Sequence, residues 1–295
     1  MHVKASEIAA FLGASLHGPD VHVERPATLD SAGPNTVVFL KKPDPALVQN
    51  ITVHTSILAI LPEGLEADGI SVINSANPRL TFARILEEYF KKPLAAERIA
   101  KTASIDPTAS LGKNVRVGHY SVIGAGAVIG DDTEIRHHVV IAPGVQIGSN
   151  CLIKSGAVIG EEGFGMVKDD HGHNMRIPHV GSVIIGDRVE VGALNTVACG
   201  TIDPTIIADG CKLDDHVHIA HNVRMGPEGI ITACVEISGS VTVGKDVWIG
   251  PNSSVMHGIA IGDGAYIGLG AVVAKPVDPK AVMGGARATF LRYTD

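Results

Sequence analysis

The chain has 295 residues, about twice the ~150 of an ordinary domain, so one elongated domain or two ordinary ones are expected. At 45% apolar and 19% charged residues, with mean hydropathy +0.24, it has enough apolar side chains for a core and too little charge for disorder. Lys+Arg number 24 against 31 Asp+Glu, a net charge of -7 without a dense basic block, which excludes a nucleic-acid or anionic-membrane surface and points to a small or basic partner. The Met1 end reads MHVKASEIAAFLGASLHG, where Glu7 and His17 interrupt the apolar run, and no later stretch approaches the ~18 apolar residues of a membrane span. A cytoplasmic protein is expected. Four cysteines without a CxxC pair fit reduced, packed thiols rather than a disulfide frame or a zinc knuckle.

In chain order, Ser6 to Leu16 predicts a short amphipathic helix, and Thr36 to Leu40 and Ser56 to Leu61 predict apolar strands. Asn77-Pro78 pairs a capping residue with a first-turn proline. Apolar residues then recur at helical spacing from Leu80 to Phe90, ending before Lys91-Lys92-Pro93. Residues 1–100 are therefore read as a small α/β domain. From Ile105 the pattern changes. Aliphatic residues stand six apart ten times running to Ile159, three times from Ile185 to Val197 and, after a slip of four, twelve times from Ile207 to Val273. A period of six matches neither a helix nor a flat strand. It suits a solenoid of short strands, three per triangular coil, in which inward aliphatics stack coil over coil; twenty-five hexads make about eight coils. Glycine follows many of these aliphatics, as at Ile123-Gly124 and Ile249-Gly250, and is read as serving a sharp bend there. The pattern resembles the hexapeptide repeat of left-handed β-helix proteins, and the left hand is implied by that resemblance. The expected fold is mainly β, a left-handed parallel β-helix over 101–275 preceded by the small α/β domain, with an excursion at 160–184 and a short tail at 276–295.

In LDDHVHIAHNV the residues Asp214, Asp215, His216, His218 and His221 crowd two hexads. Ile219 points inward, so His221 stands near a corner. One coil being eighteen residues, Gly239 and His257 stack above it, with successive coils ~4.8 Å apart. A histidine there can act as a general base, and an unobstructed glycine N–H can donate to a developing oxyanion. The excursion opens with Gly163-Phe164-Gly165, a flexible segment with one apolar tip, as expected of a loop over a cleft between neighbouring walls.

The order of an α/β domain, hexads, GFG followed by IP-x-VG-x-V-x-IGD-x-VE-x-G (Gly163 to Gly192) and LDD-x5-AHNV (Leu213 to Val223) resembles the bacterial UDP-3-O-acylglucosamine N-acyltransferases of lipid A synthesis, over nearly the whole chain. The resemblance implies a homotrimer with sites in the clefts between subunits. It further implies an acyl donor carried as a thioester on acyl carrier protein or CoA, a UDP-linked amino-sugar acceptor, and neither cofactor nor metal. His221 would be the general base, Asp214 the carboxylate orienting it and Gly239 the oxyanion donor; Phe39, Phe164, Gly165, Asp215, His218 and His257 would contact substrate. Four departures stand out. The family has Asn where this chain has Asp215, and its second histidine lies one residue beyond the position of His257. Its Phe-Leu-x-Asn-Pro-x-Tyr uracil segment reads Phe39-Leu40-Lys41-Lys42-Pro43-Asp44-Pro45 here, keeping an aromatic for stacking. Finally, its C-terminal helices have no counterpart, which points to a shorter relative with a different acyl donor or acceptor. A second reading rests on the H-x4-H pair His216 and His221, with His137-His138 earlier. That spacing resembles the γ-class carbonic anhydrases, also left-handed β-helix trimers, and would imply a zinc-activated water. A third is a trimeric scaffold without catalysis.

Overall fold

The computed structural model describes residues 2–54, 56–91 and 97–285. The chain divides into two units, Met1–Leu94 and Ala95–Asp295. In the first, four parallel strands in the order Arg25–Pro26, Thr36–Phe39, Ile57–Pro62, Ser71–Ser75 form one sheet. Alternation along each strand sends side chains to opposite faces. Val37, Leu58, Ile60 and Ile73 therefore join Ile8 and Ile85 in one cluster, while Val38, Leu40, Ala59 and Leu61 join Val48 and Ile51 in another. The expected helix at Ser6 to Leu16 is shorter, Ala5–Leu12, because Gly13 takes a left-handed φ of 63° and ends it. Asn77 caps Pro78–Ile85 by accepting from the Leu80 N–H, and a π-turn, Leu86–Phe90, prolongs that helix. Lys92 and Pro93, where its end was expected, lie outside the described residues. A helix over Pro45–Ile51 and the strand Ser71–Ser75 were not anticipated. The helix had a signal, since Asp44 accepts from the Ala46 and Leu47 N–H groups and Pro45 occupies the first turn.

The second unit is the left-handed parallel β-helix. Its two- and three-residue strands assemble, among the described residues, into three parallel sheets of nine, eight and nine strands. The register matches the hexads, as in the column Ile105, Ile123, Ile141, Ile159, Val197, Ile219, Ile237, Val255, Val273. These side chains form one continuous buried core. Strand pairing continues past Lys275-Pro276: Val277 bridges Ile261, and Val282–Met283 pairs with Tyr266–Ile267, so the solenoid outlasts the expected limit of 275. The period was hidden because the step from Val273 to Val277 is four residues rather than six. Of the tail expected at 276–295, residues 286–295 lie outside the described residues.

The glycines following inward aliphatics do not serve the bend assigned to them. The left-handed residue comes two positions later, as at Gly126 with φ 66°. Gly124 instead allows close stacking of coils, since a Cβ there would lie 2.6 Å from the Pro143 nitrogen one coil on. The excursion holds an antiparallel hairpin, Met166–Lys168 with Asn174–Arg176. It returns by hydrogen bonds from Val180 N–H to Thr201 O and from Gly181 N–H to Gly200 O, at 2.9 and 3.0 Å. The excursion and the slip after Val197 are thus one structural feature.

Candidate active site

That feature lies beside a cavity of about 420 Å³ lined by residues that include Gly163, Phe164, Arg176, His218, His221, Ser238 and Gly239. His221, half-buried, stands at a corner two residues after the inward Ile219. A Cβ on Gly239 would lie 2.6 Å from His221 Cε1 and 2.8 Å from Nε2. On the other side, a Cβ on Gly163 would lie 2.8 Å from His221 Cβ and Cδ2. The imidazole is therefore held between two backbone segments that only glycine permits so close. The Gly239 N–H makes no hydrogen bond among the described residues, while its carbonyl accepts from Gly258 N–H at 3.0 Å.

The tautomer of His221 follows from its neighbour. Asn222 Oδ1 lies 3.0 Å from His221 Nδ1 and also accepts from Thr201 N–H at 3.2 Å and Thr201 Oγ1 at 2.9 Å. A backbone N–H only donates, so the Asn222 atom is the oxygen and His221 Nδ1 carries the proton. Nε2, on the Gly239 side, is left as the free acceptor, the form a general base needs. Asn222 itself sits at a left-handed φ of 61°, where asparagine is tolerated better than most residues.

The orienting role expected of Asp214 is not met within the chain. Seven residues are one hexad plus one, so Asp214 follows Lys212–Leu213 at the far end of the wall containing His218–Ile219, and Asn222 occupies the place beside the imidazole. Asp215, expected at substrate, is engaged at that same far corner, accepting from Ala193 N–H at 2.7 Å and Lys154 Nζ at 3.0 Å. The Ala193 N–H foremost, and then Lys154, hold its carboxyl below the usual range. His218 lines the cavity, with Nδ1 2.6 Å from Thr196 Oγ1. Phe164 is exposed at its rim, whereas Gly165 packs behind it against His179. His257 is exposed and does not line the cavity. Phe39 belongs to the N-terminal unit, where it lines another cavity, of about 730 Å³, with Lys41, Lys42 and Phe82.

His216 and His221 occupy different corners, so the H-x4-H pair does not converge within one chain; His137 Nδ1 is engaged in accepting from His119 N–H at 2.9 Å. Among the described residues no cluster of three or more His, Cys, Asp or Glu could hold a metal ion. Cys151, Cys199 and Cys211 are buried, and burial pushes the Cys211 thiol up to about 11, which suits packing rather than nucleophilic chemistry. The residue that sequence reasoning missed is His179. Its buried ring meets that of His221 with centroids 5.1 Å apart and planes at 70°.

The hexapeptide repeat is shared with known proteins. Residues 126–161 and 240–275 match the bacterial transferase hexapeptide family model of six repeats. A UDP-3-O-acylglucosamine N-acyltransferase from Coxiella burnetii is 36% identical over 261 residues, covering 80% of this chain and 74% of the relative. One from Pseudomonas syringae pv. tomato is 35% identical over 286 residues, covering 90% and 80%. The chain belongs to the UDP-3-O-acylglucosamine N-acyltransferase family. Among solved structures, LpxA from Acinetobacter baumannii is 27% identical with a TM-score of 0.59, covering 64% of this chain and 72% of that one. A UDP-N-acetylglucosamine acyltransferase from Francisella novicida is 25% identical with a TM-score of 0.58, over 63% and 66%. The imidazole held between Gly163 and Gly239 belongs to Ala220-His221-Asn222, with Gly163 packed against it.

Proposed function

We propose that this chain is an N-acyltransferase that moves an acyl group from a thioester of acyl carrier protein or CoA to the amine of a UDP-linked amino sugar, in a lipid A type of biosynthesis. The observation carrying this reading is the apposition of His221, with Nε2 free, to the unpaired N–H of Gly239. His221 Nε2 takes a proton as the amine nitrogen attacks the thioester carbonyl carbon. The resulting oxyanion accepts from Gly239 N–H. The C–S bond then breaks, and the proton held on His221 passes to the departing sulfur, which leaves as a thiol. The reaction is balanced without a cofactor or a metal, and none is proposed.

The test is a panel of acyl-carrier-protein and acyl-CoA thioesters of graded length, offered with UDP-linked amino sugars. Acylated sugar and free thiol in equal amounts support the reading. Absence of transfer from every donor overturns it.

We also place the working form as a homotrimer in the cytoplasm; no helix among the described residues is long and apolar enough to cross a membrane. Asp214 and His221 sit at opposite ends of one wall, so Asp214 is proposed to serve a His221 across a subunit cleft. Sedimentation is expected to give a trimer. A fully active monomer of 30.7 kDa would remove both the cleft and the part assigned to Asp214.

Phe39 is proposed as a stacking platform for uracil. It is half-buried, lies 4.8 Å from the Phe82 ring at 32°, and lines a cavity while also packing against the core cluster of Val37, Leu58 and Ile73. Phe39→Ala should raise KM for the UDP-sugar by ~1 to 3 kcal/mol, the worth of base–aromatic stacking, with little change in kcat. The Tm should stay nearly unchanged. If Phe39 serves mainly as core, the variant loses ~3 to 5 kcal/mol of stability while KM stays as it was.

A further inference from the structure

We propose that His179 is a positioning residue for the base, a neutral imidazole whose buried lone pair favours the cation that His221 becomes when it takes the proton. His179 is 7% exposed and lies on the returning arm of the excursion, in Ile177-Pro178-His179-Val180-Gly181. Its Nδ1 is 2.9 Å from the Ile177 carbonyl oxygen. A carbonyl only accepts, so Nδ1 carries the proton and Nε2 bears the lone pair. That nitrogen is buried with no hydrogen-bond partner among the described residues. Folding rarely leaves a buried acceptor unpaired, because it loses its hydration without replacement, and such exceptions call for a function.

The place of that nitrogen gives that function. The point a Gly163 Cβ would occupy is 2.9 Å from His179 Nε2 and 2.8 Å from His221 Cδ2, so both atoms lie against the same side of Gly163, and the two rings meet edge to face. When His221 takes a proton, its positive charge spreads over the whole ring, Cδ2 included. A lone pair on the buried side then attracts it more strongly than water-facing groups can, because the local dielectric is low. The other charged groups lining this cavity are Arg176, whose Nη1 donates to the Gly163 carbonyl at 2.9 Å, the exposed Glu162, and the half-buried Glu236, which accepts from Ser238 Oγ at 2.8 Å. Gly165 completes the enclosure, since a Cβ there would lie 3.0 Å from His179 Cε1. His179 thus acts through His221, and touches neither substrate nor reacting atoms.

This inference rests on the acyl-transfer reading above, so wild-type transfer is the first arm of its test. Loss of transfer in the wild type condemns that reading, whereas the order of the variants judges His179. His179→Gln keeps an acceptor without the ring; His179→Phe keeps the ring without the acceptor. Under the proposal, the Phe variant loses kcat about tenfold with KM within about twofold, the scale of one polar interaction, while Gln stays within about threefold of wild type. Packing alone predicts the reverse order. Phe equal to or better than Gln, or equal losses in both, overturns the proposal. Tm is followed for each variant, and His179→Leu replaces Phe as the acceptor-free arm if the Phe chain does not fold.

Discussion

Replacing His221 by alanine is expected to lower kcat by about 10²-fold or more, the loss that follows removal of a general base. The fold should persist. His221 is half-buried at a corner, and the core column beneath it is carried by Ile219 and its stacked partners Val197 and Ile237. Steady-state kinetics, with circular dichroism and sedimentation as controls, decide the matter. A variant with near-normal kcat and intact structure would refute His221 as the base, and with it the proton path to the leaving sulfur.

The second large effect comes from adding one methyl group. Gly239→Ala places a Cβ 2.6 Å from His221 Cε1 and 2.8 Å from Nε2, closer than such contacts tolerate. The atoms in the way belong to the far part of a side chain, so the chain yields by turning the imidazole rather than by breaking the coil. Moving a catalytic group by ~1 Å can cost 10²-fold, and a fall in kcat of about that size is expected, with Tm little altered. The N–H of residue 239 survives the substitution, so the loss would report the position of the base. Unchanged kcat would show that the contact between Gly239 and His221 does not set the reactive geometry. A collapse of Tm would instead assign Gly239 to the packing of coils.

How far the site can be read from the sequence depends on whether a residue sits on the repeat. Gly239 is found against His221 because a parallel solenoid makes residues one coil apart spatial neighbours, and here the coil is eighteen residues. The same reasoning separates Asp214 from His221: a spacing of seven in a period of six moves one residue along and so to the next corner. Asn222 was available in the AHN motif as a corner residue with a short amide, yet its hold on the His221 tautomer depends on Thr201, which is brought in by the slip after Val197. His179 had no such route. It lies on the return of an aperiodic excursion, and the hydrogen bonds of Val180 and Gly181 to the slipped coil, with that of the Ile177 N–H to the Gly165 carbonyl, place it under the GFG loop.

The sequence by itself determined the solenoid, its three-strand coil and the corner that carries His221. Each of these follows from a local rule, an inward aliphatic every six residues, repeated until its side chains form one buried column. The tertiary structure alone decided how the irregular segments meet. The excursion and the slip satisfy each other's backbone groups, bury His179 with its nitrogen unpaired and turn Asn222 toward His221. It also decided that the glycines after the aliphatics serve close stacking of coils, and that Asp44-Pro45 opens a helix. Those outcomes depend on contacts between segments far apart in the chain, which no period in the sequence encodes.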